Sequence, residues 1–484
     1  MSARWIPAVV GVALLASTFV LANRPVPTAE AEPTVPTLPV STPTTPTPPA
    51  NHAVTADGAV QIGLHVDRSL VLTDDGTGHL LVEVQGSEDA IARRTPVAMT
   101  IVVDTSGSMA GLRLFNARQA AIGLVDRLAD GDRISLVTYG SYANVLLDNV
   151  TLGEDRSYVQ SVIGGLDTSG NTCMSCGLDT ALSVVSRAPS GFTSRVVMLS
   201  DGHANRGDAS EAGLSRRASA LLEAGVATST IGVGQDYNET LMTRIATSGT
   251  GGYYFVPDSS AIAQVLEREM DGLSRTVARD LVLTLAPGAG ITIGDAPVVG
   301  ATRQGDHIVV RIGQLAAGEV RELVWPLQYA TGDLEEGIRV SATWADADGQ
   351  EEGASASVDI ARTDDAAASL ASSNERVVVR ERIVRSATTI EQAMNDFAEG
   401  NFEAAEAALG ALEDDLAATA AVTGSAELEE ELDNLMEVQR TIAEPEAVDA
   451  ETRRSLRMQN TARSYEFQRG SGAADAYHGR SVIH

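Results

Sequence analysis

Asp104, Ser106 and Ser108 occupy alternate positions directly after the apolar run 98–103. In an extended segment alternate side chains point the same way, so one carboxylate and two hydroxyls can face one point. Such oxygens are hard ligands, suited to Mg2+ or Ca2+ and poor for a soft metal. Two further segments supply the rest of a site. Residues 170–178 are a polar loop that opens a helix and contains Thr172, and the apolar run 194–199 ends in Ser200-Asp201-Gly202. If both apolar runs are strands of one parallel sheet, the loops at their carboxyl ends converge on one crevice. Asp104, Ser106, Ser108, Thr172 and Asp201 then meet there. Mg2+ takes six oxygens and keeps several waters, so an incomplete protein shell is expected, with Ca2+ and Mn2+ as the alternatives.

The surrounding pattern is one that could hold such loops in place. Strand-like and helix-like segments alternate: strand 98–103, helix 112–128, strand 133–139, an antiparallel edge strand at 143–152, helices 155–163 and 177–186, then strand 195–199. Helix 209–223, strand 227–232, helix 239–247, strand 253–256 and helix 259–273 follow. This alternation predicts an α/β doubly wound, Rossmann-like sheet with helices on both faces. Tyr253-Tyr254-Phe255 reads as its last core strand.

With D-x-S-x-S, a Thr in T-x-x-x-x-G-L and a strand-end D-G in this order, residues 95–275 resemble the von Willebrand factor type A family. The resemblance implies a metal-ion-dependent adhesion site. Ser106 and Ser108 would bind the ion directly, Thr172 directly or through water, and Asp104 and Asp201 would hold coordinated waters. Two Asp charges would roughly cancel the ion's charge, and the open position would accept an Asp or Glu carboxylate from a partner protein. The family also includes partners of cytosolic AAA+ ATPases, a role that the export segment described below argues against.

Composition narrows the remaining classes. The 484 residues carry 65 acidic and 35 basic side chains, a formal charge of −30, and every basic residue is Arg. Such a chain is repelled by nucleic acid and by anionic membrane surfaces, so nucleic-acid binding is excluded. The length predicts about three domains, and 44% hydrophobic residues supply sizeable cores. Arg4 precedes an apolar run at 6–22 that ends in Val20-Leu21-Ala22. Residues 1–22 read as a signal peptide or, uncleaved, an N-terminal anchor tethering the protein to a membrane. No Cys follows the run, which argues against a bacterial lipoprotein, and the expected location is extracytoplasmic, in the periplasm or at the cell surface. Residues 23–52 are a Pro/Thr-rich linker, whose residues 25–50 at ~3.1 Å per residue in polyproline II would reach roughly 80 Å.

Residues 53–94 and 276–363 lack long helical periodicity and alternate like strands broken by Gly, Pro and Asp turns. They are expected to be the two parts of one flanking β-sandwich into which the α/β domain is inserted, the alternative being two unconnected β elements. Asp346-Ala347-Asp348-Gly349 has part of a calcium-loop pattern, but without the remaining ligands it reads as a hairpin turn. Residues 364–443 become helical. Ser372 to Glu375 has a capping-box spacing, and three apolar stripes follow: Ile390, Met394, Phe397; then Leu409, Leu412, Leu416; then Leu428, Leu432, Leu435, Val438. They predict a C-terminal helical hairpin bundle. Residues 400–405 resemble one turn of a tetratricopeptide repeat, but no second copy follows at the expected period. Residues 444–484 are expected to be mostly disordered.

Cys173 and Cys176 are the only cysteines, and Cys173 adjoins Thr172. In an exported protein this pair is expected to be oxidised, as a disulfide pinning the loop. A redox switch, catalytic thiols or free thiols are the other readings, and zinc lacks a second ligand pair. No H-E-x-x-H, G-x-S-x-G or other nucleophile–base pair is visible, and His203 lies at the rim of the crevice. The sequence therefore reads as a metal-dependent protein-binding module, not an enzyme. Scaffolding through the C-terminal helices is the alternative, and a metal-dependent hydrolase lacks an evident general base.

Overall fold

The computed structural model describes residues 50–55, 58–90, 94–334, 336–443, 445 and 447–471. The export or anchor segment 1–22 and the linker as far as residue 49 lie outside the described residues. Four strands come first: β1 (His52–Val54), β2 (Val60–Val66), β3 (Leu70–Leu72) and β4 (Thr77–Gly86). β2 and β4 pair antiparallel with Ile62 opposite Val84 and Leu64 opposite Val82. The period of two sends these four side chains into a single core.

The α/β domain follows as β5 (Val97–Asp104), α1 (Leu112–Arg127), β6 (Arg133–Tyr139), β7 (Ala143–Thr151), α2 (Arg156–Gly164) and α3 (Met174–Val185). It continues as β8 (Thr193–Ser200), α4 (Glu211–Glu223), β9 (Ala227–Val233), α5 (Glu239–Ser248), β10 (Thr250–Val256) and α6 (Ile262–Ser274). The sheet order is β10-β9-β8-β5-β6-β7. All neighbours are parallel except the β6–β7 hairpin. All eight residues of β5 are buried, as a central strand covered on both faces requires. One face packs on Leu124 of α1, Ile163 of α2 and Leu266 of α6. The other packs on Leu178 of α3, Leu214 of α4 and Ile245 of α5. From β5 the chain runs outward through β6 and β7, then returns to place β8 on the other side of β5. The sheet therefore has its topological switch point between β5 and β8, where open α/β sheets form their crevice. Helix starts follow cap chemistry: α4 begins after Ser210, whose hydroxyl accepts from Gly213 N, and α5 after Asn238, which accepts from Leu241 N.

Eight strands follow: β11 (Thr276–Pro287), β12 (Ile291–Ile293), β13 (Ala301–Gln304), β14 (His307–Ala316), β15 (Val320–Tyr329), β16 (Ile338–Ala345), β17 (Glu351–Val358) and β18 (Ala361–Thr363). They complete two five-stranded sheets, β1-β2-β4-β15-β12 and β13-β14-β11-β16-β17, while β3 and β18 pair separately. β4 lies directly against β15, with Leu80 opposite Trp325 and Val82 opposite Leu323. Leu64, Val84, Leu283, Trp325 and Val340 share one core between the sheets. The β elements on either side of the α/β domain are thus one sandwich. Asp346 Oδ1 accepts from Asp348 N at 2.9 Å and Gln350 N at 2.8 Å, the geometry of a side-chain-stabilised turn between β16 and β17.

The chain ends in helices: α7 (Ala366–Ala371), α8 (Glu375–Glu399), α9 (Phe402–Thr423), α10 (Ala426–Ile442) and α11 (Ala450–Gln468). The expected stripes form their core, with Ile390, Phe397, Leu409, Leu416 and Leu435 packed together. Gly400, at φ 90°, ends α8 in the left-handed conformation that only glycine adopts freely. The capping box at Ser372 does not form. Asn374 caps α8 by accepting from Arg376 N, and Ser372 Oγ instead accepts from Leu70 N at 3.1 Å. The disorder expected over 444–484 is corrected for its first part: α11 is a helix of 19 residues, packed between α8, α10 and the α/β domain. Its Met458, Ala462 and Tyr465 join the core over β10 and α5. Residues 472–484 lie outside the described residues. No described helix is long and apolar enough to cross a membrane.

α8 also reaches the sandwich, and this bears on a buried histidine. His65 on β2 is 8% exposed and its Nε2 has no hydrogen-bond partner. Burial first, then the charges of Arg376 and His52, push its pKa down to about 4. An unfolded His titrates near 6.5, so between these values the unfolded chain binds more protons and the fold loses stability as pH falls. At pH 5 the loss should be about 2 kcal/mol. His65→Gln should remove it, so the fall in melting temperature from pH 7 to pH 5 should be smaller in the variant. Equal falls would mean that His65 is not held neutral.

Candidate metal-binding crevice

Asp104 ends β5 and turns the chain by accepting Ser106 N on Oδ1 at 2.8 Å. Its Oδ2 accepts from Ser200 Oγ at 2.8 Å, so one carboxylate ties together the ends of β5 and β8 across the switch point. Ser106 Oγ and Ser108 Oγ are 3.0 Å apart. Ser108 Oγ donates to Asp201 Oδ1 at 2.8 Å. Thr172 comes from a third loop. A Cβ on Gly202 would lie 3.3 Å from Ser108 Oγ and 3.7 Å from Thr172 Oγ1, so both hydroxyls flank a space that glycine leaves free. The five residues read from the sequence are thereby brought to one crevice. His203 is exposed beside it.

The Thr172 loop is pinned from several sides. Thr172 N donates to Asn205 Oδ1 at 2.9 Å, and its carbonyl accepts from Asn205 N at 3.1 Å and Arg206 N at 3.3 Å. Gly107 N donates to Gly170 O at 3.3 Å and Cys173 N to Gly140 O at 3.0 Å. Cys173 and Cys176 are joined by a disulfide across the start of α3. Gly207, at φ 72°, lies against it: a Cβ there would come within 2.6 Å of Cys173 Sγ. The disulfide therefore packs against the loop that follows Asp201.

Both carboxylates are fully buried. Burial raises the Asp104 pKa to about 6, against the lowering effect of its hydrogen bonds from Ser106 and Ser200, and the Asp201 charge adds to the rise. Asp201 Oδ2 accepts from Arg113 Nη1 at 2.6 Å, and the same nitrogen lies 3.4 Å from Ser108 O. The donor atoms fit a hard divalent cation, since the acceptors that face the cradle are carboxylate and hydroxyl oxygens and a β-carbon at Gly202 would crowd it, while the Arg113 guanidinium closes one side. Among the described residues no group of three or more His, Cys, Asp or Glu could hold a metal. An ion here would depend on the hydroxyls of Ser106, Ser108 and Thr172.

Arg113, Ser200 and Asn205 complete the crevice and were not singled out in the sequence. Arg113 had a readable signal. Helical side chains tilt toward the N-terminus, so a long cation at the second position of α1 can reach back over the turn that precedes it. Ser200 adjoined Asp201, and Asn205 gave no signal.

A doubly wound sheet with acids and hydroxyls at its switch point defines a Rossmann-like α/β domain with a polar crevice. Residues 99–268 match the sequence model of the von Willebrand factor type A domain, so this part of the chain is a domain of that type. It is 26% identical over 282 residues to the uncharacterized protein sll0103 of Synechocystis sp., covering 54% of this chain and 66% of that one. It is 31% identical over 186 residues to the uncharacterized protein YfbK of Escherichia coli, covering 38% and 32%. The aligned parts thus span two thirds or less of these relatives. A solved structure, von Willebrand factor type A from Catenulispora acidiphila, superposes over 84% of this chain and 98% of its own. Its TM-score is 0.69 at 19% identity, which shows a fold shared over most of the chain.

Proposed function

We propose that this protein is a metal-dependent binding module. Domains of this family commonly mediate protein–protein interactions and often hold a divalent cation at this place in the fold. Here Ser106, Ser108 and Thr172 would hold the ion directly, and Asp104 and Asp201 would hold it through water. Mg2+ is the favoured ion, with Ca2+ or Mn2+ able to substitute. The ion would supply one open coordination position, and an Asp or Glu carboxylate of a partner protein would fill it. The observation that carries this reading is the meeting of five hard-ligand side chains from three separate loops at the switch point.

The sandwich and helices would carry the crevice, and the N-terminal segment and Pro/Thr-rich linker would hold it outside the cytoplasm, released or tethered. The test is capture of a partner from extracytoplasmic extract by residues 50–471, which include the docked α11. Ser108→Ala and EDTA should each abolish capture, by at least about tenfold, the equivalent of ~1.4 kcal/mol, with circular dichroism unchanged. Capture indifferent to both would transfer function to the sandwich or helices.

A further inference from the structure

Arg113 is the one cation that contacts the acids of the crevice among the described residues. Its Nη1 lies 2.6 Å from Asp201 Oδ2, while Asp201 Oδ1 is taken by Ser108 Oγ at 2.8 Å. Both oxygens of Asp201 are thus engaged. The guanidinium is held from its far side as well: Asp236 Oδ2 is 4.0 Å from Nη2. A Cβ on Gly234, which sits at φ 77°, would lie 3.2 Å from the same nitrogen. Arg113 is one-third exposed, so it forms a wall of the crevice and also faces solvent.

Formal charge then decides what the crevice binds. Asp104 and Asp201 bring −2 and Arg113 brings +1, while Asp236, exposed behind the guanidinium, faces Arg454 in turn at 3.9 Å and the two offset each other, so the crevice is left with −1. With a divalent ion in place the crevice would carry +1, where two acids alone would leave it neutral. We propose that Arg113 sets the ligand class of the crevice: it weakens the hold on the cation and keeps the loaded site positive, so that an anionic carboxylate is preferred over a neutral oxygen. The inference rests on the metal-binding reading above and adds the reason for an acidic partner. It also separates two properties that a purely structural arginine would move together. Removing the charge should tighten the ion and weaken the carboxylate, whereas losing a mere support for Asp201 would weaken the ion.

The experiment is calorimetric titration of the full chain with Mg2+ and with Mn2+, in wild type, Arg113→Gln and Arg113→Lys, each checked by thermal melting. Arg113→Gln is expected to bind either ion about tenfold tighter, from loss of one nearby charge in a partly solvated site. Arg113→Lys keeps the charge and should stay near wild type. Acetate, as the carboxylate probe, should strengthen Mn2+ binding in wild type and Arg113→Lys but not in Arg113→Gln. Binding by Arg113→Gln that is equal to or weaker than wild type, in a protein that melts normally, would overturn the inference while leaving the metal site standing. Binding by Arg113→Gln alone would support it. No binding by any of the three would bring down the metal reading and this inference with it.

Discussion

Replacing Tyr465 with alanine is expected to lower the unfolding free energy by about 3–5 kcal/mol, the range for truncating a buried aromatic. Tyr465 is 2% exposed and packs edge-on against Tyr253, with ring centres 5.9 Å apart. Its hydroxyl donates to Gly251 O at 2.8 Å. Truncation would open a cavity between α11 and β10 and leave that carbonyl without its partner. Tyr465→Phe keeps the ring and should cost about 1 kcal/mol, the usual net worth of one hydrogen bond. Denaturant unfolding of the two variants separates packing from hydrogen bonding. A Tyr465→Ala loss no larger than that of the exposed Val422→Ala would mean that α11 is not docked.

The second large effect concerns Glu431. This fully buried side chain on α10 accepts a hydrogen bond from Ser386 Oγ of α8 and forms an ion pair with Arg463 of α11. Glu431→Ala removes the buried carboxylate that faces Arg463, and breaking such a buried pair costs about 3–5 kcal/mol. Replacing both partners with apolar residues of similar size, Glu431→Leu with Arg463→Met, should recover most of that loss, because a buried pair gives back much of its desolvation cost when removed whole. A double variant as unstable as the single one would show that the pair contributes more than charge compensation.

These two residues also show where sequence reading stopped. α8, α9 and α10 bury apolar side chains at helical spacing, so their stripes were legible. That of α11 was not. Its buried positions include Asn460, Arg463, Ser464 and Glu466 beside Met458 and Tyr465. Polar groups held inside by ion pairs and hydrogen bonds dilute that short apolar period, and a segment of such polar composition reads as disordered. The crevice was legible for the opposite reason. Asp104, Ser106 and Ser108 are close in sequence, and Asp201 ends an apolar strand, so local spacing and the strand-end rule together placed them. Asn205 and the partner of Ser372 were not legible, because each is fixed by a loop distant in the chain. The sandwich could be expected as two halves, but the pairing of β4 with β15 is a long-range register that alternation alone does not specify.

That pairing has a bearing on the order in which the protein assembles. Gln85 and Val320 are cross-strand neighbours, yet the entire α/β domain is synthesised between them. As the chain emerges N-terminus first, β4 has β2 on one side and nothing on the other until β15 has emerged. Closing so long a loop is costly unless the intervening chain has already folded and brought its two ends together. The α/β domain would then act as the clasp for the sandwich, and its folding rate would set how long β4 presents an open edge. A substitution that slows this domain should show itself first as aggregation of new chains through that edge, before any loss of stability in the finished protein.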